Sequence, residues 1–300
     1  MTTPSDHTTP SDSSARPGQV ADAKTTAVLI TGTSSGIGRA AALRLARRSD
    51  LTVYATARRT ESIADLAAAG ARVLALDVTD EASMAAAVQE VEAAHGFVGA
   101  LVNNAGYGAY GTVEETDLDA VRRQFETNVF GLARMAQLVL PGMRRAGRGR
   151  IVNVGSMGGR LVFPVGGYYH ASKYAVEALT DALRFEAAPF GVRVSLVEPG
   201  LIRTEFATTA AGNLAGQAAP SGPYAALNQA ADQQMAQGYR SPLMSARPEA
   251  VARVIDHAVT NSRPRTRYVV TPAAKVLVHT RRLIGGRAFD AILRTQFRAA

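Results

Sequence analysis

The chain runs to 300 residues, with 33 basic and 25 acidic side chains, a formal net charge of +8 and no cysteine. That length can bury a large core, and the lack of cysteine excludes disulfides and thiolate metal ligands, so a cytoplasmic protein with no metal site is expected. Nine of the basic residues and a single acid fall in residues 261–300, which leaves 24 of each sign in the first 260 and excludes the broad basic surface of a nucleic-acid binder.

Residues 1–24 are rich in Thr, Ser, Pro and Asp and poor in large apolar side chains. Such a segment cannot offset its ordering entropy, so a disordered tail is expected. Thr26-Ala-Val-Leu-Ile-Thr31 has the length and composition of a buried parallel strand. It runs into Gly32-Thr33-Ser34-Ser35-Gly36-Ile37-Gly38 and then a helical pattern over 39–46. Strand, glycine-rich turn and helix make a pyrophosphate site, because missing Cβ atoms let backbone N–H groups approach the anion. The spacing is G-x-x-x-G-x-G, not the commoner G-x-G-x-x-G. A second strand at 52–56 ends in Ala57, Arg58 and Arg59. An acid there would grip the 2′-hydroxyl of an NAD ribose, whereas arginine accommodates a 2′-phosphate. Arg58 therefore predicts NADP(H).

A helix at 61–69 and a strand at 72–76 lead to Asp77-Val78-Thr79-Asp80. Asp80 or Thr79 is placed to cap the next helix, and Asp77, with Val78 beside it, to meet an adenine amino group. A helix over 82–95 precedes a strand at 100–103 and then Asn104-Ala105-Gly106, small residues that permit close approach of backbone to a ligand. A helix over 118–145 carries Asn128 in its apolar middle, where a buried amide must find partners and is expected to hold a structural water or relay a proton.

Ser156 follows a strand at 149–154, and a long helix over 169–190 opens with Tyr169-His-Ala-Ser-Lys173. That spacing puts a phenol and an ammonium on one helical face, one turn apart. A phenol with a pKa near ~10 is a poor acid or base at neutral pH, and a fixed positive charge is expected to pull it toward the working range. Tyr168 has no such partner, because the residue one turn on is Ser172. Ser156 is placed to hydrogen-bond the substrate oxygen that Tyr169 protonates. A strand at 192–197 ends in Glu198-Pro199-Gly200, with Thr204 close behind. The alternation of strand and helix predicts a single α/β domain over 25–271, a doubly wound, Rossmann-like parallel sheet with its chemical residues where strands end.

In this order, Thr31-Gly32-x-x-x-Gly36-x-Gly38, Asn103-Asn104-Ala105-Gly106, Asn128, Ser156, Tyr169-x-x-x-Lys173 and Pro199-Gly200 resemble the short-chain dehydrogenase/reductase family. The resemblance implies reversible hydride transfer between NADP(H) and a carbonyl or alcohol. It implies that Tyr169 is the general acid/base and that Ser156 polarises the substrate oxygen. Lys173 would lower the tyrosine pKa and hold the nicotinamide ribose, Asn128 would hold a relay water, and Thr204 would contact the carboxamide. It also implies a homodimer or homotetramer built on the helices at 118–145 and 169–190. Two departures stand out. The turn residues just before Gly36 include no Arg or Lys, so Arg58 would carry most of the selectivity for NADP, and the chain runs on past its last expected strand at 267–270. That extension, with Tyr168-Tyr169-x-Ala171-Ser172-Lys173 and Ala55-Thr56-Ala57-Arg58-Arg59, is similar to the branch holding 17-beta-hydroxysteroid and retinol dehydrogenase-like enzymes. An NADP(H)-sensing regulatory protein on the same fold is the alternative reading.

The segment 201–247, rich in Ala, Gln and Pro with a helix near 224–237, has the length of a substrate lid. Met157, Leu161, Phe163, Tyr107 and Phe206 are expected to face the cleft and favour a lipophilic carbonyl or alcohol over a sugar. In 272–300, Ala273, Val276, Leu277, Leu283 and Ile284 gather toward one helical face, with Lys275, His279 and Arg282 on another. After Gly285-Gly286, Phe289, Ile292, Leu293 and Phe297 repeat an apolar face, with Arg287, Arg294 and Arg298 away from it. This basic amphipathic extension is expected either to pack on the core near the lid or to lie on an anionic membrane surface.

Overall fold

The computed structural model describes residues 25–205 and 222–297; the expected tail at 1–24 and the expected cleft residue Phe206 lie outside them. In chain order the elements are β1 (Thr26–Ile30), α1 (Gly36–Leu45), β2 (Leu51–Ala57), α2 (Asp65–Ala68), β3 (Arg72–Ala75), α3 (Glu81–His95), β4 (Ala100–Asn103), α4 (Leu118–Phe125) and α5 (Leu132–Ala146). There follow β5 (Gly149–Val154), α6 (Gly167–Ala187), β6 (Val192–Glu198), β7 (Leu201–Ile202), α7 (Ala225–Arg240), β8 (Ser245–Ala246), α8 (Pro248–Thr260), β9 (Arg267–Val269) and α9 (Pro272–Gln296).

Seven strands form one parallel sheet in the order β3-β2-β1-β4-β5-β6-β9. The order reverses between β1 and β4, and this switch point opens a crevice at the carboxyl ends of the strands. Because helices cover both faces, β1 is apolar and buried at four consecutive positions, Ala27 to Ile30. Val28 and Ile30 of β1 pack toward α1 and α8, while Ala27 and Leu29 pack toward α3 and α5. The fold is the expected doubly wound sheet.

Local chemistry accounts for most boundaries. Asp80, not Thr79, caps α3, accepting from the N–H groups of Ala82 and Ser83, and Gly96 ends that helix in the left-handed region at φ 80°. α8 was not among the predicted elements. Its first residue is Pro248, whose missing N–H costs nothing at a helix start, and its apolar face is buried against α1. The predicted helix over 118–145 is two α-helices joined by a π-helical turn, Glu126–Gly131, with Asn128 buried inside it. Such one-turn π-bulges recur at functional sites. The predicted helix at 169–190 begins two residues early, at Gly167, so Tyr169 sits in its first turn.

Candidate active site

The crevice widens into a cavity of about 1250 Å³. That exceeds what one drug-sized ligand fills and leaves room for a dinucleotide and a substrate together. At one end lies the glycine turn. Gly32 and Gly36 have φ of 70° and 56°, where a Cβ is costly. A Cβ on Gly38 would stand 2.2 Å from the Gly32 carbonyl oxygen and 2.3 Å from Asn104 Nδ2. The turn is braced from behind: Asn104 Nδ2 donates to the carbonyls of Thr31 (3.0 Å) and Gly32 (2.8 Å). The backbone N–H groups of Asn104 and Ala105 donate to Thr31 Oγ1, each at 3.0 Å. Thr31 thus has a bracing role that sequence reasoning missed.

Gly32, Ser34, Ser35, Gly36 and Ile37 line the cavity, but Thr33 and Gly38 do not. Thr33 is fully buried, and its Oγ1 donates to the Thr56 carbonyl at 3.1 Å, tying the turn to β2. α1 starts behind Ser35 with no acidic residue in its first turn, so its partial positive charge faces the cavity uncompensated. Arg58, exposed at the end of β2, forms the rim with Asp77, Val78, Ala105 and Gly106. Asp77 Oδ1 accepts from Thr79 N–H (2.9 Å) and Thr79 Oγ1 (2.8 Å). Pro199, Gly200 and Thr204 line the far wall, Thr204 lying across from Gly36.

Ser156, Tyr169 and Lys173 converge at the middle of the cavity. Ser156 ends the run after β5 with extended backbone, and its Oγ accepts from the Gly158 N–H at 3.0 Å. Burial pushes the Tyr169 phenol up to about 12, and the neighbouring Ser156 hydroxyl works against the rise. This reverses the direction expected from sequence. Lys173 is itself buried, its Nζ donates to the Val154 carbonyl at 3.0 Å, and desolvation brings it down to about 8. The ammonium is therefore engaged with β5, and the phenol keeps its proton at neutral pH.

Asn128 does not line the cavity. Its Nδ2 donates to the Tyr107 carbonyl (2.8 Å) and Ser172 Oγ (3.1 Å), while Oδ1 accepts from the Tyr107 N–H (3.0 Å). Protein groups thus use both of its donors, which leaves the expected water only the second lone pair of Oδ1. Ser172 in turn donates to the Tyr169 carbonyl at 2.7 Å, so the π-turn and the first turn of α6 are stitched together. Gly106 closes this cluster, for a Cβ there would stand 3.0 Å from Asn128 Oδ1.

Three further features escaped sequence reasoning. His170 is buried, and its Nε2 accepts from the Phe163 N–H at 3.2 Å. The network therefore places the proton on Nδ1, which donates to the Gly158 carbonyl at 2.9 Å. Burial keeps this imidazole below its usual range, so it acts as a neutral brace for the loop between Ser156 and Tyr169. In that loop Val165 has φ 66°, a strained conformation for a β-branched residue, held by a 2.7 Å bond from the Gly111 N–H to its carbonyl. Behind the site, Glu177 of α6 and the fully buried Glu198 of β6 share Arg267 of β9, which also binds Asp181 at 2.6 Å. Glu177 Oε1 and Glu198 Oε2 have no donor among the described residues. A proton on Glu177 supplies one: burial, then the neighbouring Glu198, pushes this carboxyl up to about 8.

On the substrate side, Met157, Phe163 and Tyr107 line the cavity as expected. Leu161 does not; it is fully buried with Ala274, Val278 and Phe289 beneath α9. The structure adds Tyr110, stacked on the Tyr169 ring at 5.4 Å between centroids, and Tyr239, Leu277 and Phe297 from the helices at the far end. No spacing in the sequence links these positions to Tyr169.

A nucleotide-type crevice beside a serine, a buried tyrosine and a buried lysine defines an oxidoreductase of the dinucleotide-binding α/β class. The chain belongs to the short-chain dehydrogenase family, whose pattern matches residues 26–214. It is 41% identical over 180 residues to a 3-ketodihydrosphingosine reductase of Bacteroides thetaiotaomicron, a match spanning 60% of this chain and 65% of that one. It is 38% identical over 264 residues to 17-beta-hydroxysteroid dehydrogenase type 1 of Mus musculus, covering 82% of this chain and 74% of the relative. A short-chain dehydrogenase from Streptomyces avermitilis superposes with a TM-score of 0.73 at 37% identity, covering 90% of this chain and 95% of the other.

Proposed function

We propose that this protein is an NADP(H)-dependent oxidoreductase that interconverts a carbonyl and an alcohol on a lipophilic substrate. The observation that carries this reading is the convergence of Ser156 with buried Tyr169 and buried Lys173, the latter two one helical turn apart, at the wall of a cavity whose other end is the glycine turn. The residues present fit a dinucleotide: Gly32 and Gly36 line the cavity with no Cβ to hold a ligand off the backbone, and Arg58 stands at the rim where an NAD-selective site would carry an acid. The glycine turn and the first turn of α1 would hold the pyrophosphate, Arg58 the 2′-phosphate, and Lys173 the nicotinamide ribose. When bound, the cofactor supplies or accepts the hydride.

The chain's own groups manage the proton. A phenol held near 12 is protonated at neutral pH, so in the reductive direction Tyr169 gives its proton to the substrate oxygen. Ser156 donates to that same oxygen and fixes its position beside the phenol. Exclusion of water strengthens both bonds in the transition state. Asn128, with no free donor, acts on the proton path by ordering Tyr107 and Ser172 rather than by touching substrate.

The lipophilic preference rests on the wall formed by Met157, Phe163, Leu277 and Phe297. The names of the two relatives, a ketosphingoid and a steroid enzyme, point the same way. Turnover of NADPH with carbonyl substrates graded from sugars to long-chain and steroidal ketones tests the reading. NADPH oxidation that rises with substrate lipophilicity supports it, and NADPH binding without turnover of any carbonyl would leave a sensor instead.

A further inference from the structure

Helix α9 has two unlike sides. Toward the protein, Ala274, Val278 and Phe289 are buried and Leu277 reaches the cavity wall. Midway, Gly285 leaves helical geometry with φ 74° and ψ 177°, and Arg281 folds back over the Phe289 ring at 5.6 Å, fastening the two halves across the kink. The other side has no partner among the described residues. Lys275, Val276, His279, Arg282 and Leu283 are all exposed, and at the pitch of an α-helix they fall within an arc of about 120°. Val276 is 64% and Leu283 83% exposed; Ile284 and, past the kink, Ile292 are also open to solvent.

We infer that this outer face of α9 docks on the surface of an anionic lipid bilayer. Charge complementarity selects this occupant. From Pro272 to Phe297 five Lys and Arg side chains face a single acid, Asp290. A second copy of the chain would bring like charge against like. A nucleic acid would satisfy the arginines but leave Val276 and Leu283 in water. Only an interface with anionic headgroups above acyl chains takes the basic and the apolar side chains of one stripe together. Among the described residues no helix is long and apolar enough to cross a membrane, so the contact is one of lying on the surface. The inner side of the same helix walls the substrate cavity, so docking would bring that cavity to within one helix of the lipid. The inference does not depend on the proposed reaction, because none of the outer residues lines the cavity.

Co-sedimentation of the full chain with phosphatidylcholine vesicles, with and without phosphatidylglycerol, tests it. Binding should need phosphatidylglycerol and weaken as salt is raised. Lys275→Ala and Arg282→Ala should each lower partitioning about fivefold at low salt. The double variant Val276→Ser with Leu283→Ser should also lower it, with charge unchanged. Circular dichroism confirms that the variants keep the fold. Three results would overturn the inference. The first is an unmodified protein that ignores anionic vesicles; the second is a serine variant that binds them as well as the parent, leaving a purely electrostatic coat. The third is a serine variant that shifts to a smaller assembly in sedimentation while no vesicle binding occurs, giving the face to a second copy.

Discussion

At the scale of single residues, two tyrosines stand side by side in different environments. Tyr169 is buried and lines the cavity with Ser156, whereas the Tyr168 hydroxyl donates to the Val113 carbonyl at 3.2 Å on the outside. Tyr169→Phe is expected to cut turnover by roughly 10²–10⁴-fold, the usual worth of a positioned acid, while leaving the affinity for NADPH nearly unchanged. Tyr168→Phe should cost little; equal losses in steady-state kinetics would remove the assignment. We propose that Arg58, at the rim of the cavity, selects the cofactor. A guanidinium on a phosphate gains charge-assisted bonds of about 1.5–3 kcal/mol that NAD cannot offer. Arg58→Ala should therefore lower the preference for NADPH over NADH tenfold or more, read from kcat/KM with each cofactor. An unmodified protein that used both equally would count against Arg58.

At the scale of elements, the site depends on how α6 is anchored. Its first turn is tied to the π-turn through Ser172 and Asn128, and its third turn is tied to β6 and β9 through Glu177, Glu198 and Arg267. The second tie is pH-sensitive. Burial raises Glu177 to about 8, so between the ordinary glutamate range and that value the folded chain holds a proton that the unfolded chain has released. Its contribution to stability is complete at acid pH below the unfolded value, and is lost as pH climbs through about 8. Glu177→Gln keeps the shape and the donor but does not titrate. Urea midpoints measured from about pH 6 to about pH 9 should fall more steeply for the parent than for this variant. Lys173, held down to about 8 by burial, acts in the opposite sense above that pH and is common to both proteins, so it cancels in the comparison. Parallel curves would mean that Glu177 is ionised in the folded state.

At the scale of the whole molecule, apolar side chains remain outside the single chain. Leu118 and Phe130 on the α4–α5 unit, and Phe185 and Leu179 on α6, are exposed, with Phe185 at 75%. We propose that these helices form the interface of a homodimer or a homotetramer, with the dimer favoured because α9 occupies other surface. In residues 118–146 and 167–187 seven Lys and Arg meet five acids, a smaller basic excess than that of α9, which favours a protein–protein face over a lipid-facing one. Phe185→Asp should therefore reduce the mass seen by light scattering at micromolar concentration. A parent already monomeric there would refute the interface.

The sequence alone determined the features that depend on short range. Parallel strands buried on both faces read as continuous apolar runs, the glycine turn needs residues without Cβ at fixed spacing, and Tyr169 and Lys173 share a face because a helix repeats at 3.6 residues. The family and the doubly wound sheet followed from these. What tertiary structure decided lies between segments far apart in the chain. It turned Thr33 and Leu161 into the core although neighbouring residues face the cavity, and spent the Asn128 donors on Tyr107 and Ser172. It stacked Tyr110 on Tyr169 and paired Glu177 with Glu198. It also raised the Tyr169 phenol where the spacing to Lys173 suggested lowering it. The physical reason is the same throughout: periodicity reports which side of its own element a residue takes, but burial and desolvation are set by what packs against that side.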